Sequence, residues 1–166
     1  MKIFFITIIS SLFLFTSCGI AKKSSRSSSS YKTTRTSSSN KTNSIVLEAK
    51  SYIGTRYRTG GTTKKGMDCS GLVYTSFNNN GVKLHRTSYD MSKQGKPIKT
   101  KEIKKGDLVF FKTSKSSRSV NHVGVVSKVN RGIVYFIHSS SSRGVIESNL
   151  QTAYWNKSFK FAKRVF

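Results

Sequence analysis

The sequence predicts an α+β domain in which N-terminal helices pack on an antiparallel β-sheet. The first observation is that apolar residues recur at helical spacing in two segments before residue 82. The second is that the chain beyond residue 106 changes to short runs of β-branched and aromatic residues. The third is a loop of hairpin composition at residues 130–132, which joins two of these runs.

Two helices are predicted in the first half of the domain. Ser44 is expected to cap the first helix, whose apolar residues continue to a stop at Gly54. A Gly-rich loop at residues 58–63 follows. The second helix is expected to begin at Cys69 and to stop in the Asn- and Gly-containing segment 78–81. Cys69 therefore falls in a first helical turn, on the apolar face.

The second half of the domain predicts an antiparallel sheet. With its loop centred at residues 130–132, the central hairpin places His122 roughly opposite residues 138–140. Opposed residues on one face have Cβ atoms about 5 Å apart, so His122 and His138 are expected to come within hydrogen-bonding reach. The predicted strands are residues 107–111, 122–126 and 133–138, with weaker ones at 145–146 and 159–165.

The N-terminus has the pattern of a lipoprotein signal peptide at residues 1–17. Its apolar run, residues 3–15, is shorter than the about 20 residues that a spanning helix needs. Cys18 follows small residues and is the expected lipidation site, which would anchor the chain to a membrane without spanning it. Because Gly19 stands where an aspartate is associated with inner-membrane retention, we expect an outer membrane location facing the periplasm of a bacterial cell envelope. A plain signal peptide with an incidental cysteine is the alternative.

Residues 18–43 are predicted to form a tether that begins at the lipidated cysteine. From residue 19 this segment is rich in Ser, Thr, Lys and Arg and almost free of apolar residues, so it cannot bury enough surface to offset its ordering entropy. Its cations suit contact with anionic lipid or wall polymer. A simple solubilising spacer explains the composition equally well.

Residues 44–166 have the length of a single domain, and their charge points to a polyanionic partner. The whole chain has a net charge of +24, and this segment holds 23 of the 30 basic residues and all 6 acidic residues, a net charge of +17. Nucleic acid is excluded as a partner because an exported, membrane-anchored chain seldom meets it. Anionic envelope polymers are the expected partners, and a monomer is the expected state.

Cys69 is the one cysteine that lies outside the predicted signal peptide and its lipidation site. A lone cysteine is by default buried and inert. A cysteine that stays unpaired in an oxidising compartment, however, is more often reactive. The helix dipole and nearby cations are expected to favour its thiolate. A nucleophilic thiol needs a base and a group that orients the base, and we assign these roles to His122 and His138. For His138, a hydrogen-bonded histidine at a strand end is nearly as plausible from geometry alone.

The chain resembles the NlpC family of bacterial cell-wall cysteine peptidases, a compact papain-like group, over nearly the whole domain. The resemblance implies a papain-like fold with Cys69 as nucleophile, His122 as base and His138 as third member. It also implies that Tyr57 lies near the oxyanion, where a phenol donor would stabilise the tetrahedral intermediate. The matching motifs are residues 57–61, 64–73, 86–89, 106–111, 122–124, His138 and residues 144–146.

The same resemblance suggests substrate-binding residues. Asp68 and Ser70 flank the nucleophile and contact a substrate amino group in some family members, although Asp68 would cap the helix in any case. Arg86 is a candidate partner for a stem-peptide carboxylate. His85 departs from the family, in which proline often precedes this arginine.

The predicted function is hydrolysis of peptidoglycan stem-peptide or cross-link amides through a Cys69 thioester, without a metal or cofactor. Zinc held by Cys69, His122 and His138 is disfavoured because these ligands lack the close spacing of structural zinc sites. Two other classes stay open: a non-catalytic, basic envelope-binding lipoprotein, and a thiol acyltransferase or amidase on a similar scaffold. The residues do not distinguish cleavage of the D-Ala to diaminopimelate cross-link from cleavage of the D-Glu to diaminopimelate amide.

Overall fold

The computed structural model describes residues 29–166, with side chains from residue 37 onward. The predicted signal peptide, the lipidation site Cys18 and the first part of the predicted tether lie outside the described residues. Within the described part of the chain, no helix combines the length and the apolar character needed to cross a membrane.

The architecture is α+β, as predicted, and its elements follow the predicted order. Over residues 29–166, four α-helices and one 3₁₀ helix accompany eight strands, of which the first two are only two residues long. The helices are α1 (Ser29–Ser51), α2 (Cys69–Asn78), α3 (Ser88–Met91), the 3₁₀ helix (Thr100–Glu102) and α4 (Ala153–Ser158). The strands are β1 (Thr62–Thr63), β2 (Gly66–Met67), β3 (Lys96–Ile98), β4 (Leu108–Phe111), β5 (His122–Asn130), β6 (Ile133–Ser140), β7 (Gly144–Asn149) and β8 (Phe159–Arg164).

Six strands form one antiparallel sheet in the order β3-β8-β4-β5-β6-β7, and β1 and β2 form a separate small hairpin. The hairpin of β5 and β6 turns at Arg131 and Gly132, which both have positive φ, of 47° and 80°. Two consecutive left-handed residues are the geometry of a type I′ turn, whose twist matches that of the strands. The loop of hairpin composition predicted at residues 130–132 is therefore confirmed.

Both faces of the large sheet are buried. On one face, α1 and α2 contribute residues such as Val46, Leu72 and Phe77 to an apolar cluster with Val123 and Val125 of β5. On the other face, an aromatic cluster gathers around residues of β4, β6 and α4. That second cluster comprises Ile103, Val109, Phe111, Val126, Val134, Phe136, Leu150 and Ala162, with Ile98, Trp155 and Phe159 packed against it.

The first helix differs from the prediction at both ends. It begins at Ser29 and ends at Ser51, so the capping role predicted for Ser44 and the disorder predicted for the part of the tether from Ser29 on are wrong. The hydroxyl of Ser44 donates to the Asn40 carbonyl at 3.1 Å, as Ser and Thr do inside helices rather than at their starts. The helical stop predicted at Gly54 becomes a turn after the helix, in which Gly54 has φ 89°.

Candidate active site

Asp68 caps α2 and thereby fixes Cys69 at the start of that helix. One carboxylate oxygen of Asp68 accepts a hydrogen bond from the Gly71 N–H at 2.6 Å, the contact expected of an N-cap. The other oxygen accepts from the Gly60 N–H at 2.7 Å, which ties the preceding loop to the helix start. Cys69 is 8% exposed, so the predicted placement on the buried face is confirmed.

Arg86 closes a polar network beneath the helix start. Its Nη1 and Nη2 donate to the two carboxylate oxygens of Asp68 at 3.0 and 2.8 Å, a bidentate ion pair. Nη1 also donates to the Ser70 hydroxyl at 2.8 Å, and Nη2 to the Gly61 carbonyl at 3.4 Å. Burial would raise the pKa of Asp68, but the hydrogen bonds from Arg86 and from the two backbone amides hold that pKa below its usual range.

This network changes the interpretation of three predicted substrate-binding residues. Asp68, Ser70 and Arg86 bond to one another, and none of them lines the cavity that contains Cys69. All four N–H groups of the two terminal nitrogens of Arg86 are engaged within the protein. These contacts support the start of the helix, and the predicted contact of Arg86 with a stem-peptide carboxylate stays a prediction.

The two histidines meet on the aromatic face of the sheet, as the hairpin geometry predicted. His122 Nε2 lies 3.0 Å from His138 Nδ1, and His138 Nε2 lies 2.9 Å from the Ser148 hydroxyl. If His122 carries its proton on Nε2, it donates to His138, which in turn donates to Ser148. That tautomer leaves Nδ1 of His122 unprotonated and able to accept a proton.

Gly124 makes room for this pairing. A Cβ at Gly124 would lie 2.6 Å from a ring carbon of Phe136, 2.9 Å from the Ile137 carbonyl oxygen and 3.3 Å from the His138 Cβ. Any larger residue would displace the strand that carries His138.

Trp155 encloses the histidine pair. Its ring stacks on His122 with centroids 5.5 Å apart at an interplanar angle of 23°, and it meets the His138 ring edge-on at 4.6 Å. Phe111 and Phe136 complete this aromatic environment. Fixed ring orientations are what a general base requires, because a rotated imidazole would miss its proton donor.

Burial governs the protonation states of these groups. Desolvation lowers the pKa of His122 to about 4. Desolvation first, and then the charges of His122 and Arg143, lower the pKa of His138 to about 3. Both rings are therefore neutral near pH 7, and the His122 imidazole is in the form that can accept a proton.

The Cys69 thiol is shifted in the direction opposite to the one predicted. Burial raises the pKa of Cys69, and hydrogen bonds from the backbone of Val123, Ser70 and Cys69 itself lower it only in part, while the Asp68 charge raises it further. The expected stabilisation of a thiolate by the helix start is real but smaller than the desolvation penalty. The resting pair is a neutral thiol and a neutral imidazole.

Cys69 and His122 face one open cavity of about 550 Å³. The backbone of Val123, the residue after His122, is close enough to the Cys69 sulfur to lower the pKa of its thiol. Tyr57, which the family resemblance implies to lie near the oxyanion, also lines this cavity, and a backbone bridge pairs it with Met67. The lining residues are Tyr57, Cys69, Thr113, Asn121, His122, Ser139, Ser140, Ser141, Ser142, Arg143, Thr152, Tyr154 and Trp155.

Three residues at or beside the cavity were not predicted from the sequence. Ser148 and Trp155 support the histidines, and Arg143 brings a charge to the cavity, yet none of them lies in a motif that signals such a role. The lone tryptophan of the chain was the one compositional hint. Periodicity cannot place the residues of a short helix such as α4, because six residues give fewer than two turns.

Comparison with known proteins gives consistent matches. A family model described as the NlpC/P60 family matches residues 54–164. The murein DD-endopeptidase MepS/murein LD-carboxypeptidase of Escherichia coli strain K12 is 41% identical over 122 residues, which are 73% of this chain and 61% of that protein. The probable endopeptidase NlpC of the same strain is 39% identical over 119 residues, or 71% of this chain and 74% of that protein. The chain thus spans about three fifths of the length of MepS.

Solved structures agree with this grouping. An NlpC/P60 family protein from Bacillus cereus superposes with a TM-score of 0.66 and 29% identity, over 75% of this chain and 40% of the other. The NlpC/p60 domain of the peptidoglycan hydrolase SagA superposes with a TM-score of 0.62 and 26% identity, over 74% of this chain and 97% of that domain. The resemblance identified from the motifs is confirmed.

Proposed function

The chain belongs to the NlpC/P60 family, and from that premise we propose that it is a cysteine peptidase that hydrolyses amide bonds in peptidoglycan stem peptides or their cross-links. The observation that carries the proposal is the shared cavity of Cys69 and His122, with His122 Nε2 3.0 Å from His138 Nδ1. The relatives are named as a murein DD-endopeptidase/LD-carboxypeptidase, a probable endopeptidase and a peptidoglycan hydrolase, which supports the substrate class.

The chemistry begins with a neutral pair. As the Cys69 sulfur attacks the amide carbonyl, its proton passes to Nδ1 of His122, and the charge that forms on the imidazole is shared through His138 to Ser148. The carbonyl oxygen becomes an oxyanion, and the phenol of Tyr57, which makes no hydrogen bond among the described residues, can donate to it.

Breakdown of this intermediate forms a thioester. The C–N bond breaks while the His122 imidazolium gives its proton to the leaving amine. Water then attacks the thioester, His122 takes a proton from that water, and the C–S bond breaks to release the carboxylic acid and return the thiol. Each step uses the same imidazole alternately as acid and base, and no metal or cofactor takes part.

The decisive experiment is digestion of purified sacculi by the full chain in detergent. The parent should release muropeptides that mass spectrometry identifies, and the bond cleaved follows from their masses. Cys69→Ser should release none, whereas Cys18→Ser, the matched change at the other cysteine, should release the same products as the parent. Equal release by Cys69→Ser would refute the nucleophile and favour a different chemistry. Release by none of the three would favour the envelope-binding alternative.

An envelope location with a lipid anchor at Cys18 is part of the proposal. The composition of residues 1–17 supports it, since a basic start and an apolar core precede a cysteine. Expression with a labelled fatty acid should label the parent and leave Cys18→Ser unlabelled. Labelling of both proteins would contradict the anchor.

Binding to anionic envelope polymers is supported by a lysine groove beside the cavity. Lys112, Lys115, Lys157 and Lys160 line a depression of about 470 Å³ that shares Thr113 and Tyr154 with the cavity of Cys69. No acidic residue lines this groove in the described part of the chain. Retention on sacculi should fall steeply as salt rises, because exposed charges are screened. A salt-independent retention would contradict this part of the proposal.

A further inference from the structure

Of the described residues that line the cavity of Cys69 and His122, Arg143 alone carries a permanent charge. Among the described residues that line this cavity, none is acidic, and the imidazole of His122 is neutral near pH 7. The other lining residues are hydroxyl, amide or aromatic side chains apart from Cys69 itself. The cavity is therefore matched in charge to an anionic ligand rather than to a cationic one.

The turn that bears Arg143 is held against the protein. Gly144 follows it with φ 67°, and a Cβ at Gly144 would collide with the Thr55 carbonyl. The Val145 N–H donates to the same carbonyl at 2.8 Å, and the Gly54 N–H donates to the Val145 carbonyl at 2.9 Å. The Arg143 side chain is exposed, while these contacts anchor the adjoining backbone close to the catalytic residues.

The guanidinium of Arg143 is unengaged. In the part of the chain whose side chains the structure describes, four ion pairs form and Arg143 takes part in none of them. Arg86 is the opposite case, since its two terminal nitrogens are fully used within the protein. A guanidinium presents a planar set of donors that fits a carboxylate in a bidentate way, so Arg143 offers a recognition element that Arg86 does not.

We propose that Arg143 binds a free carboxylate next to the scissile amide, so that peptidoglycan peptides with this carboxylate intact are cleaved in preference to their amidated counterparts. This inference rests on the proposed function. In this role Arg143 contacts the substrate and sets specificity, and it takes no part in proton transfer. In a stem peptide, the carboxylate can come from the α-carboxyl of D-Glu or from a carboxyl of diaminopimelate.

The test uses three synthetic stem peptides and the full chain in detergent. One peptide has all carboxyls free, one is amidated at the D-Glu α-carboxyl, and one is amidated at diaminopimelate. kcat/KM is measured for the parent, Arg143→Gln, Arg143→Lys and Arg131→Gln. Arg131→Gln is the matched control because it removes the same charge at the remote tip of the β5–β6 hairpin.

The parent should cleave the free peptide about tenfold better than one of the amidated peptides, the size of one charge-assisted hydrogen-bonded contact. The amidated peptide that loses activity identifies which carboxylate is bound. Arg143→Gln should lose this preference and should cleave the amidated peptide at the parent's rate. Arg143→Lys should keep part of the preference, and Arg131→Gln should keep all of it.

Three outcomes separate the possible failures. A parent that cleaves the free peptide and both amidated peptides equally would overturn the inference alone. An Arg143→Gln variant that keeps the preference, or that loses activity equally on all peptides, would also overturn it. A parent that cleaves none of the peptides, or a Cys69→Ser variant that cleaves them all, would overturn the proposed function itself.

Discussion

The two halves of the candidate site are built by opposite physical means. On the helix side, Cys69 is fixed by a charged network in which Asp68 is bonded to Arg86 and to two backbone amides. On the sheet side, His122 and His138 form a neutral pair within an aromatic enclosure that includes Trp155. The charged network sits outside the cavity and determines position, whereas the neutral pair borders the cavity and is suited to proton transfer.

This difference has an energetic reason. Breaking a buried ion pair costs much free energy, so such a pair holds the backbone in place. For the same reason its groups are poorly suited to gain or lose a proton during a reaction. Two neutral imidazoles can change charge within a catalytic cycle, and burial keeps them neutral at rest. We therefore expect changes on the helix side to lower stability and changes on the sheet side to lower activity.

The largest expected effect is the loss of the proposed general base. His122→Ala should lower kcat per folded molecule by about a thousandfold, within the range that acid–base catalysis contributes, and it should also lower the free energy of unfolding, because the ring stacks on Trp155 and bonds to His138. Release of muropeptides from sacculi and urea denaturation measure the two quantities. His85→Ala is the matched control, because His85 is exposed and distant in sequence from both strands. A His122→Ala protein with parental activity would remove the sheet side from the mechanism.

Arg86→Met should have the reverse profile. It leaves the Asp68 carboxylate unpaired, and since the Arg86 side chain is 34% exposed the cost is less than for a fully buried pair, about 2 kcal/mol in the free energy of unfolding. Activity per folded molecule should change less than about threefold, because such a shift in rate is below 1 kcal/mol. Arg131→Met serves as the control in urea denaturation. A large rise in KM without a loss of stability would contradict this profile and support the predicted substrate contact of Arg86.

Acidification should act on the sheet side first. Because the pKa of His122 is about 4, its base form persists well below the usual histidine range, and kcat/KM should fall about tenfold per pH unit only below pH 4. The folded state should also lose stability as pH falls from the normal histidine value of 6.5 through about 4, because the unfolded chain binds the proton first. Thermal unfolding across this range gives the second measurement. An activity limb near pH 6.5 would show that His122 is not desolvated.

The smallest expected effect concerns Ser148. Ser148→Ala leaves His138 Nε2 without its partner at 2.9 Å, and loss of one hydrogen bond, about 1 kcal/mol, should lower kcat about fivefold. Ser127→Ala is the matched control in the same sheet, since the buried Ser127 hydroxyl has no hydrogen-bond partner in the described part of the chain and its removal should leave activity unchanged and stability equal or higher. Equal effects of the two substitutions on kcat would show that Ser148 does not act through the histidine pair.

The sequence predicted the parts of the molecule that depend on local rules. The strands beginning near residues 108, 122 and 133 have strong β-branched and aromatic patterns, and all three are confirmed. The start of α2 at Cys69 followed from Asp68 as its cap. The start of α1 was wrong because the Ser- and Thr-rich segment before residue 44 satisfies its hydroxyls against its own helix.

What the sequence alone determined was the order of the candidate reacting residues in the chain and the elements that begin at them, because a thiol after a helix cap and a histidine beginning a strand are local patterns. Only the tertiary structure decided that Arg86 turns inward to Asp68, that Ser148 and Trp155 support the histidines, and that Arg143 faces the cavity. It also decided the protonation states, since the desolvation that raises the pKa of Cys69 and lowers that of His122 comes from residues distant in sequence. Burial and side-chain pairing are properties of the packed chain, and no local pattern specifies them.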